Sequence, residues 1–257
     1  MAGRINLNAD IGEGFGLYEI GNDEAMMEIV ASVNVACGMH AGDPTVMHRV
    51  VVKAKERGVS IGAHPGFSDL VGFGRRRIDM AAADLEYLIA YQIGALSAVA
   101  AYAGLKVTHV KPHGALHAMA AANPDYAMAI GRAIRAVDRD AIYLVTAGSE
   151  MEAAAQRLDL PLAREAFVDR VYDDDGALQS RAVAGAVITD AKVAAERCVR
   201  LVETGEIVSA GGKRIPLRFD SLCVHGDEPT AVAVAGACRS ALEAAGIAVV
   251  ALPDMLS

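Results

Sequence analysis

Five times along this chain a short apolar run breaks off into glycine plus a side chain capable of acid–base or ion-binding chemistry. The densest case is Val107-Thr108-His109-Val110 running into Lys111-Pro112-His113-Gly114-Ala115-Leu116-His117. Ile5-Asn6-Leu7-Asn8-Ala9-Asp10 leads in the same way to Gly12-Glu13-Gly14, and Val33-Asn34-Val35-Ala36-Cys37 to Gly38-Met39-His40-Ala41-Gly42-Asp43. Val59-Ser60-Ile61-Gly62-Ala63 ends in His64-Pro65-Gly66, and Ser221-Leu222-Cys223-Val224 in His225-Gly226-Asp227-Glu228. Aliphatic, β-branched runs of this length suit buried strands, so the reactive groups collect where strands stop.

Each residue type suggests a task. Asp10 and Glu13 can serve as general bases or hold a cation, and His64, His113 and His225 can transfer protons. Lys111 can stabilise a developing oxyanion or a phosphate. His40, Asp43, His225 and Asp227 are candidates for binding substrate, and Arg75 and Arg76 for gripping a carboxylate in bidentate fashion. Asp10, His64 and His113 can also form a divalent-metal set with one position open for water. Blander readings compete. Asp43 stands before Pro44, where it reads as a helix N-cap; His40 and His225 read equally as buried imidazoles, and the two arginines as a solvated loop charge. Pro and Gly beside His64 and His113 favour function there. His113 and His117 have helical metal-ligand spacing, but Gly114 argues against a helix starting between them. His48 and His109 read as structural.

These strand ends must be held together by the elements between them. Asn22-Asp23-Glu24, Asp43-Pro44, Asp84, Asn123-Pro124 and Asp227-Glu228-Pro229 are helix starts, each following a strand or its connection. Ile142–Val145 is a fifth strand, a sixth lies within 163–171, and Ile247–Leu252 is an eighth strand or a closing edge. Residues 206–219 alternate around Gly211-Gly212 as an inserted antiparallel hairpin. The long connection from Pro65 to Met80 has the length of a functional loop. Strands alternating with helices imply parallel pairing with right-handed crossovers, and seven or eight such units favour one (β/α) barrel domain over residues 1–257, with its chemistry at the C-terminal ends of the strands.

Composition excludes several classes. A net charge of −8 over 257 residues, with Arg75-Arg76-Arg77 as the densest basic run, argues against a nucleic-acid partner. No apolar run reaches membrane-spanning length uninterrupted by Asp, Glu or Gln, and no signal-like segment opens the chain, so an unexported, non-membrane protein is expected. Four cysteines without CxxC spacing fit a reduced, cytoplasmic setting. The sequence is compatible with a homo-oligomer.

The motifs Asn8-Ala9-Asp10-Ile11-Gly12-Glu13, Ala36-Cys37-Gly38-Met39-His40-Ala41-Gly42-Asp43, Gly62-Ala63-His64-Pro65-Gly66, Gly72-Phe73-Gly74-Arg75-Arg76, Lys111-Pro112-His113-Gly114-Ala115-Leu116 and Cys223-Val224-His225-Gly226-Asp227 together resemble the LamB/YcsF family, from about residue 5 to 250. The resemblance implies a distorted (β/α)7–8 barrel like those of glycoside hydrolases and carbohydrate deacetylases. It also implies ATP-dependent opening of 5-oxoproline to glutamate, with separate B and C subunits and ATP as a magnesium-bound co-substrate. His117 departs from the tyrosine usual at that position. A metal-dependent deacetylase-like hydrolase acting alone, and a substrate-binding or channelling subunit without chemistry, are the competing readings. No Walker-type phosphate loop is present, because Gly211-Gly212-Lys213 lacks the required spacing and context.

Overall fold

The computed structural model describes residues 3–227 and 229–256. Strand and helix alternate from the start: β1 (Arg4–Ile11), α1 (Asp23–Met27), β2 (Ser32–Ala36), α2 (Pro44–Arg57), β3 (Ser60–His64), α3 (Ala82–Tyr102) and β4 (Val107–Val110). Two helices follow in tandem, α4 (Gly114–Ala122) and α5 (Pro124–Val137), then β5 (Ile142–Thr146), α6 (Glu150–Arg157) and β6 (Leu162–Phe167). After α7 (Ala191–Thr204), β7 (Glu206–Val208) and β8 (Arg214–Pro216) pair antiparallel as the expected hairpin. The chain ends with β9 (Ser221–Val224), α8 (Ala231–Ala244), β10 (Ala248–Val249) and α9 (Leu252–Met255).

Seven strands pair in parallel in the order β1-β2-β3-β4-β5-β6-β9, and β9 returns to β1 through Asn6↔Ser221 to Ala9↔Val224, closing the barrel. The eighth strand anticipated near the C-terminus is the two-residue β10, which pairs with Arg4 and Ile5 and lies outside that ring. Helix starts follow the sequence at α2 and α5, where Asp43 and Asn123 accept two backbone N–H groups each. Helix α3 begins two residues before Asp84. Glu228, expected within the last helix start, lies outside the described residues, and α8 begins after Thr230.

Strand side chains alternate, and that alternation divides β1 chemically. Ile5, Leu7, Ala9 and Ile11 join the apolar core, whereas Asn6, Asn8 and Asp10 join a buried polar column. At its lower end Asn6 Nδ2 donates to Ser32 Oγ (2.8 Å), Ser221 Oγ donates to Asn6 Oδ1 (2.6 Å), and Ser32 and Ser60 hydroxyls lie 2.7 Å apart. Above them Asn8 Nδ2 donates to Ser221 Oγ (2.7 Å) and Glu165 Oε1 (2.8 Å). Asn34 Nδ2 then donates to Asn8 Oδ1 (2.7 Å) and Asp10 Oδ1 (2.8 Å), and its own Oδ1 accepts from His109 Nε2 at 3.0 Å. Buried polar groups of this kind are tolerated when they are paired. Gly62 makes room for His109: a Cβ there would stand 2.2 Å from the ring. The interior is therefore a hydrogen-bonded scaffold leading up to Asp10.

Candidate active site

Asp10, at the top of β1, meets Lys111, the first residue after β4, with Nζ 2.9 Å from Oδ1. The ammonium also contacts Glu165 Oε1 (3.2 Å) and Cys223 Sγ (3.1 Å) and lies over the Phe167 ring, so its three protons all have partners inside the barrel. This gives Lys111 a different position from the free oxyanion donor expected of it: it is the counter-charge of Asp10. Burial alone would raise the Asp10 pKa, but the charges of His64 and Lys111 outweigh it and hold the carboxyl well below its ordinary range. Glu165 receives less of that charge; burial, reinforced by Asp10, leaves its pKa raised. His109, inside the column, falls to about 3 through burial and the Lys111 charge.

Two imidazoles complete the centre. His64 Nδ1 lies 2.7 Å from the Lys111 carbonyl, and His113 Nε2 lies 2.8 Å from the Phe73 carbonyl. A carbonyl can only accept, so both ring nitrogens carry protons there, and in the neutral rings the other nitrogens carry lone pairs. Those two lone pairs, His64 Nε2 and His113 Nδ1, face each other at 3.1 Å. Asp10 Oδ2 stands 3.3 Å from the first and Glu13 Oε1 3.6 Å from the second. Burial, then neighbouring His40 and His64, push the His113 pKa well down. The two facing lone pairs, with Asp10 at one end and Glu13 at the other, call for an added proton or a cation. The donor set fits a divalent ion, because both imidazoles are oriented by carbonyls on their outer nitrogens.

His40 stacks flat on His113, ring centres 3.7 Å apart, with its Nε2 4.0 Å from Glu13. Both its ring nitrogens are buried without a hydrogen-bond partner among the described residues. One donor atom each from Glu13, His40, His64 and His113 lies within 4.8 Å of the others. Glu13 has its pKa raised well above normal, first by burial and then by Asp10.

The long connection after β3 clamps this group. His113 N donates to Pro65 O (2.9 Å) and Ala115 N to Gly74 O (3.0 Å), while Phe73 sits at φ 54° to present its carbonyl. Gly74 is at φ 62°, and a Cβ there would approach His40 and His113 within 3 Å. Contrary to expectation, α4 begins directly after His113: Gly114 adopts φ 54°, and a side chain at that position would strike Gly74 O. His113 and His117 nevertheless do not share a ligand. His117 donates through Nδ1 to Pro112 O and accepts from Thr146 Oγ1 at 2.6 Å, with its pKa lowered to about 3 by burial and Lys111.

His225 donates through Nδ1 to Asp169 Oδ2 (3.0 Å), while its backbone N–H reaches the same carboxylate at 2.9 Å and its ring stacks on Phe167. Burial raises the Asp169 pKa, but His225 more than offsets it and the carboxyl stays ionised. The pairing leaves His225 Nε2 as the basic nitrogen. Asp10, Glu13, His64, Arg75, Lys111, His113, His225 and Asp227 all line one cleft of about 440 Å³.

Two candidates stand elsewhere. Asp43 spends Oδ1 on Thr45 and Val46 and Oδ2 on Gly16 N (2.7 Å), so it acts as cap and turn anchor outside the cleft. Arg76 is bound bidentately by Asp69 on the outer side of its loop, leaving Arg75 as the arginine at the cleft. Sequence reasoning misses Asn8, Asn34, Glu165, Asp169, Arg170 and Arg181. The Asn-x-Asn-x-Asp alternation in β1 is a usable signal for the first of these; the loop arginines give none.

A closed parallel barrel with carboxylates, imidazoles and a buried lysine at its strand C-termini defines a class of hydrolase-type (β/α)7 barrels. Within that class, the chain belongs to the LamB/YcsF family, whose profile matches residues 5–257. It is 54% identical over 248 residues to the 5-oxoprolinase A subunit of Rhodopseudomonas palustris (strain BisB5), spanning 96% of this chain and 98% of that one. The crystal structure of a lactam utilization protein from Thermus thermophilus superposes with a TM-score of 0.92 at 42% identity, over 96% of this chain and 99% of that one. A family 4 carbohydrate esterase from Streptomyces lividans shares the fold alone, with TM-score 0.52 at 9% identity over 96% and 91% of the two chains. Among the described residues no helix is long and apolar enough to cross a membrane.

Proposed function

We propose that this chain is the lactam-opening component of an ATP-consuming 5-oxoprolinase, producing glutamate together with B and C subunits. The observation that carries the reading is the convergence of Asp10, Glu13, His64 and His113 in one cleft beside a buried Lys111. The relatives named as 5-oxoprolinase A subunits and the lactam utilization protein support the substrate class.

A lactam carbonyl is a weak electrophile and its nitrogen a poor leaving group, so opening requires a base for water, a charge to meet the oxyanion and an acid for the nitrogen. His225, held by Asp169, is placed to take the proton from water. Glu13, favoured in its protonated form, gives a proton to the departing nitrogen as the carbon–nitrogen bond breaks. Lys111 keeps Asp10 ionised, and its backbone carbonyl orients His64 through Nδ1. Arg75 faces the substrate carboxylate. ATP, as its magnesium complex, phosphorylates the carbonyl oxygen in the assembled complex and leaves as ADP; loss of the nitrogen from the water adduct then gives an acyl phosphate, which a second water hydrolyses to glutamate and phosphate. Exposed Phe15, Tyr18, Leu70 and Val71 rim a groove shared with Glu13 and His40 and offer apolar surface to a partner protein. The four buried thiols, none in a disulfide, accord with a cytoplasmic location.

A second reading is favoured by the four donor atoms that lie within 4.8 Å of one another. A divalent ion would be held by Glu13, His40, His64 and His113, and would supply Lewis-acid polarisation of the carbonyl. One experiment addresses both: glutamate release from 5-oxoproline by this chain alone, by its B and C partners alone, and by the three together, with and without ATP. Activity only in the complete mixture with ATP is expected. Turnover by this chain alone without ATP, abolished by a chelator, would replace the first reading with the second. Near-normal turnover of a complex carrying Asp10→Ala, with only substrate affinity reduced, would leave the chain a binding or channelling component.

A further inference from the structure

Helix α3 carries a face that the barrel does not cover. Its inner face, Leu85, Ile89, Gln92, Ile93, Leu96 and Ala100, is buried against β3, β4 and the flanking helices α2 and α5. The opposite face presents Asp84, Tyr87, Tyr91, Ala98 and Tyr102, all exposed, with half-buried Gly94 and Ala95 between them. At about 100° per residue these positions fall within about 120° of the helix circumference, so they form one stripe. From Tyr87 to Leu105 the chain has no charged residue. A surface helix ordinarily turns charges outward, and a helix that is apolar all round is one that is covered all round.

The stripe is complementary to itself. When a second copy is turned so that the two helices run antiparallel, with a two-fold axis between Gly94 and Ala95, Tyr91 of each copy falls against Ala98 of the other and Tyr87 against Tyr102. Large residues then meet small ones or the edge of a second ring, and Gly94, where an added Cβ would meet nothing within 4 Å, lets the backbones approach. The ends match in charge as well. Asp84 lies in the first turn of α3, and beyond its last turn Lys55 Nζ donates to Ala103 O (2.8 Å), a carbonyl that does not neutralise it. Antiparallel pairing brings each Asp84 to the lysine end of the other copy.

The area is also sufficient. Tyr87, Tyr91 and Tyr102 are 71%, 64% and 86% exposed. At about 200 Å² for a buried ring they offer on the order of 450 Å² per copy, or about 900 Å² for a pair. The alanines and backbone between them carry the contact to the ~1,000 Å² that a specific interface needs.

We propose that this chain forms a two-fold dimer through the outward face of α3, the two helices antiparallel and centred on Gly94 and Ala95. Helices of a (β/α) barrel run opposite to its strands, so this pairing sets the two clefts at opposite ends of the dimer and leaves both mouths open.

The test is sedimentation velocity of the full chain over the micromolar range, with cysteine cross-linking to read the register. A dimer is expected. Ala98→Glu, which sets a carboxylate against Tyr91 of the other copy, should raise the dissociation constant at least about tenfold and leave Tm unchanged at a dilution where both proteins are monomeric. The four native cysteines are buried, so Ala95→Cys supplies an accessible thiol beside the two-fold axis and should couple to its own copy through a short bis-maleimide. Tyr87→Cys should not, because its counterpart lies about 22 Å away along the paired helices. A monomer throughout that range, a dimer indifferent to Ala98→Glu, or Tyr87→Cys coupling as readily as Ala95→Cys refutes the proposal. So does a monomer that assembles with the B and C subunits and loses that assembly on Ala98→Glu, since the face would then belong to those proteins.

Discussion

Replacing Lys111 by Met tests whether the polar centre is held by a single buried cation. The residue is 2% exposed, and its ammonium serves Asp10 at 2.9 Å, Glu165 at 3.2 Å and Cys223 at 3.1 Å. Met fills comparable volume but leaves two carboxylates buried without it. Removing one partner of a buried pair costs about 3–5 kcal/mol. The lower end applies here, because Glu165 already has a raised pKa and takes up a proton readily, whereas Asp10 keeps Asn34 and His64. At about 2–4 °C per kcal/mol for a chain of this size, about 3 kcal/mol is a Tm drop of roughly 6–12 °C at pH 7. The sign with pH follows from Asp10. Its folded pKa lies below the unfolded value of about 3.9, so the stability it contributes is present above that pH and is lost as pH falls through the folded pKa. The gap between parent and Lys111→Met, measured by urea melts from pH 7 down to 3, should therefore narrow below about pH 4. Adding Asp10→Asn to Lys111→Met should recover most of the loss. A gap below about 1 kcal/mol at pH 7, or one that stays constant from pH 7 to 3, would show that the lysine does not hold the centre.

Glu13→Gln should behave in the opposite sense. The folded pKa of Glu13 is raised, so its protonated form is favoured at low pH and stability is lost as pH rises from the unfolded value of about 4.3 towards the folded one; the variant should melt higher than the parent at pH 7 and equal it at pH 4. Gly62→Ala would bring a methyl to 2.2 Å from His109 and should prevent accumulation of folded protein, with Gly62→Ala/His109→Ala restoring a cooperative melt. Asp43→Ala deprives the N–H groups of Gly16, Thr45 and Val46 of their acceptor and should lower stability by about 1–2 kcal/mol in denaturant titration.

The strand ends are legible because a buried strand needs apolar residues and the turn beyond it needs glycine; His40, His64, Lys111 and His113 all fall at those changes. What escapes is what the barrel alone decides. Arg164, Glu165, Asp169 and Arg170 read as interruptions of a sixth strand reaching Val171, yet β6 stops at Phe167: Glu165 points into the polar column, and Asp169 and Arg170 become strand-end residues. Neighbouring Arg75 and Arg76 are equivalent in sequence; Asp69, placed by its backbone bond to Met39 O, separates them. Gly114 reads as a helix breaker because propensity is local, whereas its role is to let the Gly74 carbonyl approach.

The division between support and function follows from which buried groups are satisfied. Asn8, Asn34 and His109 have their bonds made within the column, and the low pKa of His109 marks it as a neutral donor locked onto Asn34. Such residues specify a geometry and have no capacity left for a ligand. His40 is as deeply buried, yet neither of its nitrogens is bonded among the described residues, and Glu13 beside it sits where burial and Asp10 both disfavour its charge. A fold that satisfies one set of polar groups this thoroughly keeps another under-satisfied at a cost in stability, which is the signature of a site shaped for something it binds. By that criterion His40 and Glu13 are the groups left open to a ligand, and Asp10 with Lys111 joins the centre to the scaffold below.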